Sequence, residues 1–142
     1  MDYGSIGEMM EARAEEAVAT ARAYRVPLDY SEASLEKLEE ILAGLYREMP
    51  SSRPSSQQVA EACKIWGGYL GEVVRRRWGG EWTLETYPGA GFATPTLNVV
   101  AGKMFPTMKI HRRLTEGPKE NVWNFYCMMR RKLEKLVGNQ VH

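Results

Sequence analysis

The stretch Val59–Trp82, VAEACKIWGGYLGEVVRRRWGGEW, limits the folds open to this chain more than any other. Val59, Ala62, Cys63, Trp66, Leu70, Val73, Val74 and Arg77 recur at spacings of three and four, the period of one helical face. Gly67 and Gly71 lie one turn apart, so a stripe without side chains runs beside the apolar one. Each glycine costs a helix roughly 1 kcal/mol against alanine. Close approach of another backbone offsets that cost, and the expected neighbour is the last helix, through Phe125 or Met129. Gly79-Gly80 then ends the helix, because a residue without Cβ takes the left-handed conformation cheaply.

Downstream of the glycines the period changes from helical to alternating. Trp82, Leu84 and Thr86 fall on one side and Glu81, Thr83 and Glu85 on the other, as in a half-buried strand. Pro88–Gly91 is turn-rich, Pro95–Val100 reads as a second strand, and Lys103–Phe105 reads as a short third. Connections this short exclude a crossover and predict an antiparallel meander. Helices are expected over 5–24, 31–48, 56–78, 106–116 and 118–137. Ser5 with Glu8, and Ser55 with Gln58, have the spacing of capping boxes, and Pro106 suits a first helical position. Gly117 and Gly138 are the expected stops for the last two helices. Trp123 and Cys127 widen the apolar arc of the final one. The fold class is α+β, about five helices around a two- to three-stranded antiparallel sheet.

A chain of 142 residues reads as a single domain, 1–142, with a compact core over 31–137. The first helix has a stripe made mostly of alanine and methionine: Ile6, Met9, Met10, Ala14, Ala17, Val18 and Ala21. So thin a stripe suits an N-terminal arm over 1–24 that mediates self-association or partner binding, as well as a plain covering helix. The hydrophobic share of 44% and charged share of 26% are those of a globular protein. No apolar run approaches the roughly 20 residues needed to span a bilayer. The N-terminal sequence is acidic and amphipathic, not a secretory signal, so a cytoplasmic location is expected. Cys63 and Cys127 fall among apolar neighbours and read as reduced, buried thiols.

Charge is divided unevenly. Residues 1–61 hold 12 acidic and 6 basic side chains, whereas residues 62–142 hold 6 acidic and 13 basic. The halves therefore attract each other within the fold or offer opposite faces to partners. Glu32, Glu36, Glu39 and Glu40 lie off the apolar stripe of their helix and read as a solvated face. Three basic clusters stand out: Arg75–Arg77, Lys109 with Arg112 and Arg113, and Arg130–Lys132 with Lys135. Of these, Lys109, Arg112, Arg113, Arg130 and Arg131 are the candidate contacts for an anion or partner. Consecutive arginines on a helix point about 100° apart, which weighs against nucleic acid as the ligand.

Catalytic signals are sparse. The chain lacks a phosphate-loop lysine, a Cys-x-x-Cys pair and a His-Glu-x-x-His run, so no cofactor or metal is expected. The two histidines, His111 and His142, are 31 residues apart. An enzyme reading would need Glu72 and His111 as a carboxylate–histidine pair, with Glu81 and Tyr87 in the same cleft.

One resemblance adds to this. YLGE at Tyr69–Glu72, GGEW at Gly79–Trp82, Phe105-Pro106, K-I-x-R-R-L at Lys109–Leu114 and G-P-K-E-N-V-x-x-F at Gly117–Phe125 resemble the core of a bacterial family of unknown function. It covers about residues 31–130. The family carries no assigned activity, and its size and layout are similar to those of small stand-alone bacterial interaction proteins, toxin-immunity partners among them. The expected function is a non-enzymatic binding module whose partner is a protein, either a second copy or another chain. The alternatives are a small enzyme built on Glu72 and His111, or an anion or nucleic-acid binder using the basic C-terminal half.

Overall fold

A computed structural model describes residues 5–100 and 102–140. The elements run α1 (Ile6–Ala23), α2 (Ser34–Ser52), α3 (Ser56–Trp78), β1 (Glu81–Thr86), β2 (Ala93–Val99), β3 (Gly102–Met104), α4 (Pro106–Glu116) and α5 (Val122–Gln140). A single turn of 3-10 helix, Pro118–Glu120, joins the last two. The fold is α+β, with five helices packed around an antiparallel sheet of order β1-β2-β3.

Helix α3 is the axis. The capping box at Ser55 and Gln58 opens it, and Gly79, at φ 81°, closes it. Every residue from Trp66 to Val74 is buried, so this segment meets protein on all sides rather than along one stripe. The glycines explain how. A methyl group built on Gly68 would lie 2.9 Å from the Arg13 Cβ of α1, and one on Gly67 would lie 2.7 Å from the Thr107 Cα of α4. On Gly71 it would lie 2.1 Å from the Trp82 ring. The neighbours of this glycine stripe are thus α1, the start of α4 and Trp82. The expected contact with α5 through Phe125 or Met129 is corrected, and Gly68 joins the set.

Helix α1 covers α3, the plainer of its two expected readings. Met10, Ala14, Ala17 and Ala21 are fully buried. Small side chains there let α1 approach Gly68 closely, so the thin stripe marks tight packing rather than weak packing. Helix α2 starts at Ser34 and runs past Pro50 to Ser52, longer than expected, before Arg53 turns left-handed at φ 45°. Its stripe carries a surprise: Glu39 is buried beside Leu35, Leu38 and Leu42.

In the sheet, Trp82 pairs with Leu97, and Leu97 with Met104. Pro95 sits inside β2, the central strand, where a missing N–H is normally excluded. It is tolerated because β3 pairs only with Leu97–Val99, which leaves no strand beside Pro95 on the side away from β1. Leu84 was expected to share the buried face of Trp82 but is 60% exposed, whereas the Trp82 ring lies against Gly71 of α3. Thr94 Oγ1 and Thr107 Oγ1, 2.8 Å apart, tie the sheet to α4.

Two boundaries also differ from expectation. Asn121 accepts from the Asn124 N–H at 2.9 Å and caps α5, so the helix starts after the 3-10 turn rather than at Pro118. Gly138 does not end α5, which continues to Gln140. No helix among the described residues is long and apolar enough to cross a membrane.

Candidate functional site

A groove of about 500 Å³ with a mainly apolar lining lies between β3 and α5. One wall is β3 with Phe105, backed by Tyr87 and Val99. The other is α5, which contributes Phe125, Met128, Met129, Lys132, Leu133 and Leu136. Those positions step by three and four, so one continuous face of α5 fronts the groove. Lys109 and Arg112 of α4 close one end. Aromatic contacts shape the wall: Tyr87 stands edge-on to Phe105 at 5.2 Å and stacks on Phe92 at 6.1 Å.

The far half of α5 is the least covered part of the fold. From Arg131 to Gly138 only Leu133 is buried. Met128 is 60% exposed, and Leu136 and Val137 are open to solvent. A short helix is marginal in water without packing along its apolar face.

Electrostatics divide the cations around the groove into two groups. Lys109 Nζ and Arg112 Nη2 each lie 2.6 Å from a different oxygen of Glu120. The Lys109 hydrogen bond holds the Glu120 carboxyl below its ordinary range. Lys109 also lies 4.9 Å from the Phe125 ring centroid. Lys103 is paired with Glu85 across the sheet. By contrast, Arg131, Lys132 and Lys135 have no carboxylate within ion-pair distance among the described residues.

The five cations singled out from sequence therefore do not form one surface. Lys109 and Arg112 reach the groove, and Arg131 stands open on α5. Arg130 turns toward Glu32 at 3.6 Å and the Tyr126 ring. Arg113 was expected to point outward, but it is 2% exposed and reaches Glu39 with Nε at 3.0 Å and Nη2 at 2.8 Å. Glu39 accepts in addition from the Val122 N–H at 2.9 Å. The reading of Glu39 as solvated fails for the same reason: its charge is buried because a buried guanidinium matches it.

The carboxylate–histidine pair does not assemble. Glu72 is fully buried, and its oxygens accept from Arg75 Nε at 2.6 Å, Arg75 Nη2 at 2.8 Å and Trp82 Nε1 at 2.9 Å. Burial works to raise its pKa, but the bonds from Arg75 and Trp82 and the charge of Arg76 hold it below the usual carboxylate value. His111 is exposed on the outer side of α4 and is not among its partners. Glu81 is exposed at the start of β1, and Tyr87 belongs to the groove. His142 lies outside the described residues. Among those residues no group of three or more His, Cys, Asp or Glu could hold a metal ion. Both cysteines are free thiols, and burial pushes the Cys63 thiol up to about 12.

Sequence reasoning missed the groove because an apolar helix face reads as core whether or not the chain covers it: Leu133 is buried and Met129 partly so, but Leu136 on the same face is exposed. The available signal was an apolar arc wider than one packing face, rich in methionine, with Lys132 set inside it. The chain matches no family model, no curated protein and no solved structure.

Proposed function

We propose that this protein is a non-enzymatic binding module and that the groove between β3 and α5 receives a segment of a partner protein. The observation that carries the reading is the pairing of an open apolar floor with unneutralised cations. Met128 and Leu136 are exposed and line the groove on either side of Lys132, and Lys135 stands unpaired, among the described residues, on the same half of α5. Methionines adapt to irregular apolar surfaces, and exposed apolar patches rimmed by charge are characteristic of docking sites. The charge names the occupant's chemistry: apolar side chains flanked by aspartate or glutamate.

A second copy docking through the same face is disfavoured, because Lys132 and Lys135 would meet their own counterparts. The acidic side chains of α1 are also engaged internally, with Glu11 on Arg75 and Glu16 on Arg13. The free thiols of Cys63 and Cys127 support a reducing, cytoplasmic setting. The bacterial family that the sequence resembles carries no assigned activity, and only its size and layout, similar to those of small interaction proteins, accord with this class of function.

The test is site-specific crosslinking in the source cell, with a photoreactive residue at Met128. The expected product is a defined complex whose crosslinked peptide is apolar with acidic flanks. It should be lost on Lys132→Glu with Leu136→Glu, both exposed positions whose change leaves the melting temperature in place. A complex indifferent to those substitutions, or a crosslinked peptide that is basic, overturns the reading.

A further inference from the structure

The groove reading leaves open the conformation in which the partner segment is held, and the walls differ in a way that decides it. β3 is a free edge of the sheet. Four consecutive residues, Gly102, Lys103, Met104 and Phe105, line the groove. A strand that presented one of its faces would contribute every second residue, because side chains alternate. Consecutive residues along the lining mean that β3 lies with its edge to the groove.

The backbone of that edge is unsatisfied by the sheet. Val99 and Gly102 close the turn and pair with each other, with Val100 left-handed at φ 54°. In a two-residue antiparallel turn the closing pair exchanges its amide bonds, and the next pair points its own groups outward. The next residue is Lys103, which pairs in register with Asn98. Its N–H and C=O therefore face away from β2, toward the slot between β3 and α5.

We infer that the groove binds its partner by strand addition: an extended, alternating apolar and acidic segment pairs with β3 as a fourth strand. Its apolar row faces the α5 wall at Phe125, Met129 and Leu133, and its acidic row, turned to the opposite face and to solvent, meets the long, exposed Lys132 side chain at the rim. Main-chain bonds to Lys103 supply affinity, and the pockets between methionines supply selectivity, as in other edge-strand complexes. The inference rests on the groove being the docking site, and it excludes a helix laid in the groove as the bound form.

The probe is a fluorescein-labelled peptide of about six residues alternating leucine and glutamate, read by fluorescence anisotropy. Three comparisons isolate the backbone. Lys103→Pro removes the outward N–H at an edge position where proline is compatible with the sheet, while Lys103→Ala removes the side chain alone. A peptide N-methylated at alternate amides keeps every side chain but cannot pair, and it needs no change to the protein. The expected result is binding that survives Lys103→Ala, falls about tenfold with Lys103→Pro, and disappears on N-methylation. If the N-methylated peptide binds as well as its parent, strand addition is overturned.

A helical comparator of about fifteen residues, with leucines three and four apart, separates the two levels. If it binds, loses affinity with Lys132→Glu, and the alternating peptide does not bind, the groove stands and the strand mode falls. If neither peptide binds at millimolar concentration, both readings fall.

Discussion

Replacing Glu39 by alanine tests the architecture at its most consequential point. The Glu39 carboxylate accepts four hydrogen bonds: Arg113 Nε at 3.1 and 3.0 Å, Arg113 Nη2 at 2.8 Å, and the Val122 N–H at 2.9 Å. Its removal strands a guanidinium that is 3% exposed and whose Nη1 already lacks a partner. Breaking a buried pair from one side costs about 3–5 kcal/mol, most of it from the charge left behind. For a domain of this size the melting temperature should fall by roughly 10–15 °C. Urea denaturation measures the free energy directly through the shift in midpoint at constant slope. The double variant Glu39→Met with Arg113→Met removes both charges and leaves only the Val122 N–H unpaired, a deficit of about 1–3 kcal/mol. It should therefore be more stable than the single variant. A single substitution that loses under about 1 kcal/mol, or a double one worse than the single, refutes the buried-pair reasoning.

Gly71→Ala should destabilise by a net of about 1–3 kcal/mol, because the new methyl meets the Trp82 ring and overpacking outweighs helix propensity. Gly44→Ala should stabilise by roughly 0.5–1 kcal/mol, since its methyl meets only Arg47 Nη2, at 3.9 Å; thermal melts of the two should move in opposite directions. Deleting residues 1–24 should abolish cooperative unfolding, because Met10, Ala14, Ala17 and Ala21 are fully buried; a truncated chain with an intact sigmoidal melt contradicts this. Glu72 has a folded pKa lowered from 4.5, so its stabilisation is complete above that value and is lost as pH falls below it. Glu85, held at about 2 chiefly by Lys103, adds to the same acid limb. Glu72→Gln should therefore flatten the decline in stability between about pH 5 and pH 2, and urea midpoints that decline in parallel for both proteins contradict it.

What the sequence disclosed and what it withheld follow from the range of the interactions involved. Ser55 with Gln58, Pro106 and Gly79 act on backbone groups within one turn of themselves, and each marks a helix end where the structure has one. Glu39 and Arg113 are 74 positions apart, and each looks like an ordinary surface charge to its own neighbours. Their burial exists only once α2 and α4 are packed. Gly68 was passed over because the apolar stripe defines one face of α3, whereas the packing of α1 uses the other side. The groove was hidden for a further reason. Periodicity shows that Met129, Leu133 and Leu136 share a face of α5, but not whether the chain itself covers that face. Methionine and lysine interleaved at Met128, Met129 and Lys132 were the local hint, since a face sealed within the core has little use for the lysine.

The Glu39 carboxylate also has a kinetic consequence for the groove it never touches. It holds Arg113, in the last turn of α4, and the Val122 N–H, at the first residue of α5, with one side chain anchored on α2. The α5 wall of the groove and the α4 end that closes it are thus pinned at their junction. On the proposed reading, encounter with a partner segment would require only rotamer changes in flexible side chains such as Met128 and Lys132, which occur in nanoseconds or less. Such a surface would then associate in one phase, with a rate linear in partner concentration and set by collision and steering charge. Differences among partners would appear in how long each one stays.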